Sequence, residues 1–110
     1  MDFSTTTDGN TSHIVVSGRL DHLVAPQLES ELDDLHMADR VHIVVDLAAI
    51  SFLDSAGLAV LAKYRRLQQS DDRNLSVVLP VGDAPRRVFE LTGFGEVFDI
   101  MEPNAGSGVA

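Results

Sequence analysis

Residues 41–47, VHIVVDL, are apolar at nearly every position, and this run constrains the fold more than any other segment. A strand with one face in water alternates apolar and polar residues, whereas a strand covered on both faces is apolar throughout. Here only His42 and Asp46 interrupt the apolar run. We therefore predict that residues 41–47 form a central strand of a sheet, covered by other elements.

The flanking segments predict the remaining strands. DFSTTT and TSHIVVSG are typical of two strands joined by the turn Asp8-Gly9-Asn10, since Asp-Gly accepts the positive φ angles of a tight hairpin. LSVVLP predicts another buried strand, and VFDIM predicts a short last strand. We expect the hairpin to be antiparallel and to lie at an edge of the sheet.

A first helix is predicted before the central strand. Its apolar residues recur at spacings of three, four and three, which places them on one helical face: Ala25, Leu28, Leu32 and Leu35. A second helix follows Asp54-Ser55, and a short third helix begins at Asp83 and is stopped by Gly93.

Strands that alternate with helices after an initial hairpin imply an α/β domain with a mixed sheet and crossover helices packed on it. At 110 residues the chain has room for one such core. We assign the domain to residues 1–102. The remainder, 103–110 (PNAGSGVA), has too few apolar groups to offset the entropy of ordering, and we predict a disordered tail.

Charge and composition exclude several functions. With 8 Lys and Arg against 17 Asp and Glu, the net charge of −9 repels nucleic acid and suits a partner with a basic surface. There is no cysteine, and no histidine pair has the spacing of a helical metal site, so we predict no metal. No segment is apolar for long enough to cross a bilayer, and no leader pattern begins the chain. We expect a cytoplasmic domain without membrane insertion.

The junction at Asp54-Ser55 invites two interpretations. Either side chain can cap the helix that follows, a role that carries no function and contributes about 1 kcal/mol. Alternatively, Leu58, Ala59 and Ala62 share the helical side of Ser55 and form an apolar docking patch beside its hydroxyl. A neighbouring helix that covers this side would remove the patch.

The chemistry available at Ser55 is limited. Leu53-Asp54-Ser55-Ala56-Gly57 lacks the first glycine of a nucleophile elbow, and no sequence feature brings a histidine to the serine, so we predict no catalytic residue. Asp46 could be the phospho-acceptor of a receiver domain, but the chain lacks the acidic pair and the lysine that accompany such an acceptor. Phosphorylation of Ser55 would add about two negative charges beside Asp54 and the predicted patch.

Three segments carry a resemblance to a known family. VVDLAAISFLDSAGLAVLAKYRRL resembles the signature of STAS domains, most closely that of the bacterial anti-sigma factor antagonists. GRLDHLVAPQLESEL and DAPRRVFELTGFGEVFDI resemble two further segments of the family, in the same order. The resemblance implies a STAS-type fold over residues 1–102.

The resemblance also implies a switch between binding partners. An unphosphorylated antagonist binds an anti-sigma factor that is also a serine kinase and so frees a sigma factor; phosphorylation releases it, and a PP2C-type phosphatase resets it. On this resemblance Ser55 is the acceptor, Asp54 positions it, and Asp21 lies near the partner surface, unless Asp21 is only a cap. His22, beside Asp21, is a further interface candidate. ATP is bound by the kinase, so this chain needs no cofactor.

The chain departs from the family pattern at four positions. Ala56 and Ala59 replace a hydroxyl residue and a glycine, while Arg19 and Val24 stand where glutamate and a capping threonine are usual.

Two other functions remain open. One is a STAS subunit of a lipid-transport or stressosome-type assembly without a phosphorylation switch, and the other is a small hydrolase that uses Ser55.

Overall fold

The computed structural model describes residues 2–96 and 98–103, and within them five strands form one mixed sheet. The elements in chain order are β1 (Asp2–Asp8), β2 (Thr11–Leu20), α1 (Ala25–Met37), β3 (His42–Leu53), α2 (Ser55–Ser70), β4 (Asn74–Val78), α3 (Asp83–Thr92), a 3₁₀ turn (Phe94–Glu96) and β5 (Asp99–Met101). The strands lie in the order β1-β2-β3-β4-β5; β1 is antiparallel to β2, and the remaining pairs are parallel.

The predicted edge hairpin is confirmed. β1 pairs with β2 up to Asp8 opposite Thr11, and Gly9 turns the chain with a φ of +61°. Glycine has no Cβ to oppose this left-handed conformation, which explains its place in the turn. The hairpin leaves β1 as the outer strand.

β3 occupies the centre of the sheet, as VHIVVDL predicted, but it is longer than that segment. It continues to Leu53 and stays paired with β2 to the end, where Leu20 lies opposite Leu53. Its pairing with β4 stops at Asp46 opposite Val78. The ends of β2 and β3 therefore extend beyond β4 and carry the chain together into α1 and α2.

One hydrophobic core joins the sheet to the helices. Alternate residues of β3 enter it together with the predicted face of α1 and the inner face of α2: Ala25, Leu28, Leu32, Ile43, Val45, Leu47, Val60, Leu61 and Tyr64. Leu35 packs against this core as a partly buried residue. Val44 is also buried but lies outside the core cluster, so the two faces of β3 have different surroundings.

The last elements follow the prediction closely. α3 begins at Asp83 and ends before Gly93, which adopts a φ of +74° as a C-terminal glycine does. β5 is shorter than the predicted VFDIM segment, and residues 104–110 of the predicted tail lie outside the described part of the chain. No helix within residues 2–96 and 98–103 is long and apolar enough to span a bilayer.

Candidate functional site

Asp54, and not Ser55, caps α2. Asp54 has extended backbone angles, and its Oδ1 accepts hydrogen bonds from the N–H groups of Ala56 at 3.0 Å and Gly57 at 3.2 Å. Ser55 is the first helical residue, and it is exposed. The structure thus settles which of the two side chains satisfies the helix terminus, and it leaves the serine without that role.

Gly57 explains how α2 approaches the sheet so closely. A Cβ at this position would lie 2.9 Å from Leu20 Cγ and 3.0 Å from Leu53 Cδ1, inside normal contact distance. The first turn of α2 therefore rests directly on the ends of β2 and β3. This contact holds Ser55 at the rim formed by the two strand ends.

The second carboxylate oxygen of Asp54 reaches the neighbouring loop. Oδ2 accepts a hydrogen bond from the backbone N–H of His22 at 2.9 Å, and it lies 3.8 Å from Nδ1 of the same residue. One carboxylate thereby ties residues 21–24 to the start of α2. Sequence reasoning found no feature that brings a histidine to Ser55, yet the fold places His22 against the residue that precedes it.

Asp21 supports its own loop. Its Oδ1 accepts hydrogen bonds from the N–H groups of Leu23 at 3.1 Å and Val24 at 3.2 Å, and its Oδ2 lies 3.6 Å from Arg19 Nε. Val24 occupies the N-cap position of α1 and makes no side-chain cap hydrogen bond. Asp21 thus has a structural role in the turn that precedes α1, and its position near a partner surface stays a prediction.

The predicted apolar patch on α2 is partly wrong. Leu58 is only 3% exposed and belongs to the core, and Ala62 is half-buried against that core. Ala59 alone of the three is exposed. The physical reason is that Leu58 packs into the hydrophobic core, so it cannot present a surface to a partner.

Two features of the rim were missed by sequence reasoning. Leu23 is 74% exposed in the loop that Asp54 holds, and the Arg19 guanidinium lies 4.1 Å from the centre of the Phe52 ring. Leu23 does not belong to the periodic apolar face of α1, and its place outside that pattern is the sequence signal that could have predicted its exposure. Leu23, and not Leu58, is the large exposed apolar group in the segments that Asp54 joins.

We define the rim surface as His22, Leu23, Asp54, Ser55 and Ala59. It combines two exposed apolar side chains, one large and one small, with a carboxylate, an imidazole and a hydroxyl. Across the described ranges, no three histidine or acidic side chains are grouped so as to hold a metal ion.

Comparison with known proteins identifies the family. A family model described as "Mlab, STAS domain" matches residues 3–102. The chain belongs to the STAS domain family. This STAS domain is 31% identical over 109 residues to the anti-sigma-B factor antagonist of Staphylococcus aureus, a match that covers 99% of this chain and 97% of the relative.

Solved structures agree with this assignment. The crystal structure of an anti-sigma factor antagonist from Mycobacterium paratuberculosis matches with a TM-score of 0.84 at 29% identity, covering 98% of this chain and 90% of that chain. The Bacillus cell fate determinant SpoIIAA in its phosphorylated form matches with a TM-score of 0.74 over 98% of this chain and 96% of that chain; at 20% identity it shows the fold alone. The predicted resemblance to anti-sigma factor antagonists is confirmed.

Proposed function

We propose that this STAS domain binds an anti-sigma factor with serine kinase activity through the rim surface, and that phosphorylation of Ser55 releases the partner. The observation that carries the proposal is the division of roles at the junction: Asp54 makes the cap hydrogen bonds, while Ser55 is exposed beside it. The similarity to anti-sigma factor antagonists supports the choice of partner.

The proposed modification is a transfer of the γ-phosphoryl group of ATP. Ser55 Oγ forms the new bond to phosphorus, the bond between the β- and γ-phosphates breaks, and ADP leaves; a base of the kinase takes the hydroxyl proton. ATP belongs to the kinase and is not a cofactor of this chain. A PP2C-type phosphatase would restore the hydroxyl by hydrolysis. A partner that depends on ATP and controls transcription places the switch in the cytoplasm.

The rim explains why modification would change binding and not folding. Ser55 is exposed, so a phosphoryl group needs no burial in the free protein. In the complex, about two added negative charges beside Asp54 would have to be desolvated at the rim surface. The partner must also tolerate a domain with a net charge of −9, which favours a basic docking surface on the kinase.

Titration calorimetry against the partner kinase domain tests the switch. The unmodified protein and Ser55→Ala are expected to bind alike, Ser55→Asp less tightly, and the phosphorylated protein least tightly, with circular dichroism as the folding control. Equal affinity of the unmodified and phosphorylated proteins would contradict the switch and favour a constitutive STAS subunit. Labelling of Ser55 by a fluorophosphonate would instead favour a hydrolase.

A matched pair of leucines tests the location of the docking surface. Leu23 and Leu91 are 74% and 80% exposed, and Leu91 lies on α3, outside the rim surface. We expect Leu23→Ser to weaken partner binding about tenfold, the equivalent of about 1.4 kcal/mol, and Leu91→Ser to leave it unchanged. A loss confined to Leu91→Ser would move the docking surface to α3.

A further inference from the structure

A phosphoryl group on Ser55 would find the start of α2 already occupied by an acid. The N–H groups of Ala56 and Gly57, which would otherwise attract an anion, are bound by Asp54 Oδ1. Consecutive Cα atoms are about 3.8 Å apart, so the phosphate and the Asp54 carboxylate would lie well within one Debye length of each other. The modified junction therefore needs a counter-charge from another element.

The cationic groups near the junction differ in availability. Arg19 stacks on Phe52 and lies close to the Asp21 carboxylate. Lys63, further along α2, donates to Glu29 at 2.7 Å. The His22 imidazole lies next to the junction, since its Nδ1 is 3.8 Å from Asp54 Oδ2, and its side chain is 73% exposed.

Resting on the proposed function, we propose that His22 is the counter-ion and positioning residue for phosphorylated Ser55. The backbone N–H of His22 stays on Asp54, which holds the ring at the junction. The protonated imidazole then pairs with the phosphate. Asp54, at the junction with α2, faces this ring, whereas Asp21, which precedes His22, pairs with Arg19 of β2.

This pairing links the loop to the modification. Leu23 directly follows His22, so the pairing would act on the loop that carries the exposed leucine of the rim surface. His22 would thus help to determine both the stability of the phosphorylated form and the presentation of Leu23. Neither effect requires a change in the sheet or in α2.

Phosphorus NMR of the isolated protein tests the pairing without any partner. Phosphoserine is placed at position 55 of the full chain during translation, and the pH midpoint of its signal is followed in wild type, His22→Gln and His13→Gln. His13 is an exposed histidine on β2, opposite Thr6 of β1, and serves as the matched control. Because His22→Gln removes this imidazole and His13→Gln leaves it in place, the comparison isolates the interaction between His22 and the phosphate.

We expect the midpoint to be lower in wild type and His13→Gln than in His22→Gln by about 0.3 pH units, the size expected of an exposed ion pair. The difference should shrink in about 1 M salt, where the Debye length is about 3 Å. Equal midpoints in all three proteins, with folding verified by circular dichroism, would overturn the proposal.

Calorimetry of the same phosphorylated proteins separates this proposal from the function on which it rests. A midpoint difference together with undiminished partner affinity would leave the pairing intact and overturn the switch. Equal midpoints together with weakened affinity would leave the switch intact and overturn the role of His22.

Discussion

The two ends of α2 use similar polar groups in opposite surroundings. At its start, Asp54 has a side chain 26% exposed and contacts a His22 ring that is largely in solvent. Near its end, Gln68 is fully buried and contacts His36, whose side chain is 13% exposed. An acid or amide hydrogen-bonded to a histidine occurs at both ends, so burial and not residue type distinguishes them.

The buried end is a closed hydrogen-bond network. Gln68 Nε2 donates to the carbonyl oxygens of Arg40 at 2.9 Å and Asn74 at 3.2 Å, which leaves its Oε1 to accept from His36 Nδ1 at 2.7 Å. The network joins α2 to the chain segments that enter β3 and β4. The comparison teaches that the polar groups near the far end of α2 are enclosed within the fold, whereas those at its start face solvent.

The largest expected effect comes from opening the buried network. Gln68→Leu keeps the volume but leaves two carbonyl oxygens and one imidazole N–H without their partner, and we expect it to lower the free energy of unfolding by about 3 kcal/mol. Gln69→Leu, at the neighbouring exposed position, should change it by less than about 0.5 kcal/mol. Urea unfolding of both variants measures the difference, and equal losses would show that burial does not distinguish these positions.

The next largest expected effect is a pH dependence of the free energy of unfolding, caused by Tyr64 near the middle of α2. Burial raises the pKa of Tyr64 to about 12, assisted by its hydrogen bond to Asp33 and by the charges of Asp33 and Glu29. An unfolded tyrosine has a pKa of about 10, so the folded state favours the neutral phenol. The contribution of this pKa shift to the free energy of unfolding is therefore fully present below pH 10.

As the pH rises from 10 towards 12, the free energy of unfolding should fall by on the order of 1 kcal/mol per pH unit. Tyr64→Phe removes the titrating group, so this fall in the free energy of unfolding should be absent from the variant. Chemical denaturation at several pH values checks the slope. Parallel curves for wild type and Tyr64→Phe would show that the phenol is not responsible.

A smaller effect is expected at the exposed end. Asp54→Ala removes the cap of α2 and the tie to the loop, and should cost about 1 kcal/mol of unfolding free energy while speeding hydrogen exchange at the His22 amide. Asp54→Asn retains an acceptor oxygen and should lose less. Unchanged exchange at His22 in Asp54→Ala would mean that the loop is held by other contacts.

The smallest effect is expected from the serine itself. Ser55→Ala should change the free energy of unfolding by less than about 0.5 kcal/mol, since Asp54 carries the cap and the residue is exposed. Thermal or urea unfolding is sufficient to test this. A loss above about 1 kcal/mol would show that the hydroxyl is structural and would weaken the proposed switch.

The sequence by itself determined the elements whose signals are local. The apolar run in β3, the periodic face of α1 and the glycines at the hairpin turn and after α3 were all recognisable because each pattern is complete within a few residues. The junction at Asp54-Ser55 and the family resemblance were recognisable for the same reason. Even there, the pattern left open which of the two side chains caps the helix.

The tertiary structure alone decided what lies beside the junction. Leu58 is buried because it packs into the core, and His22 meets Asp54 across a separation of 32 residues because β2 and β3 end together. The same dependence makes Leu23, and not Leu58, the exposed apolar residue of the rim. A helix that is apolar on several sides does not reveal which side its neighbours will cover, since that depends on the packing of segments far apart in the chain.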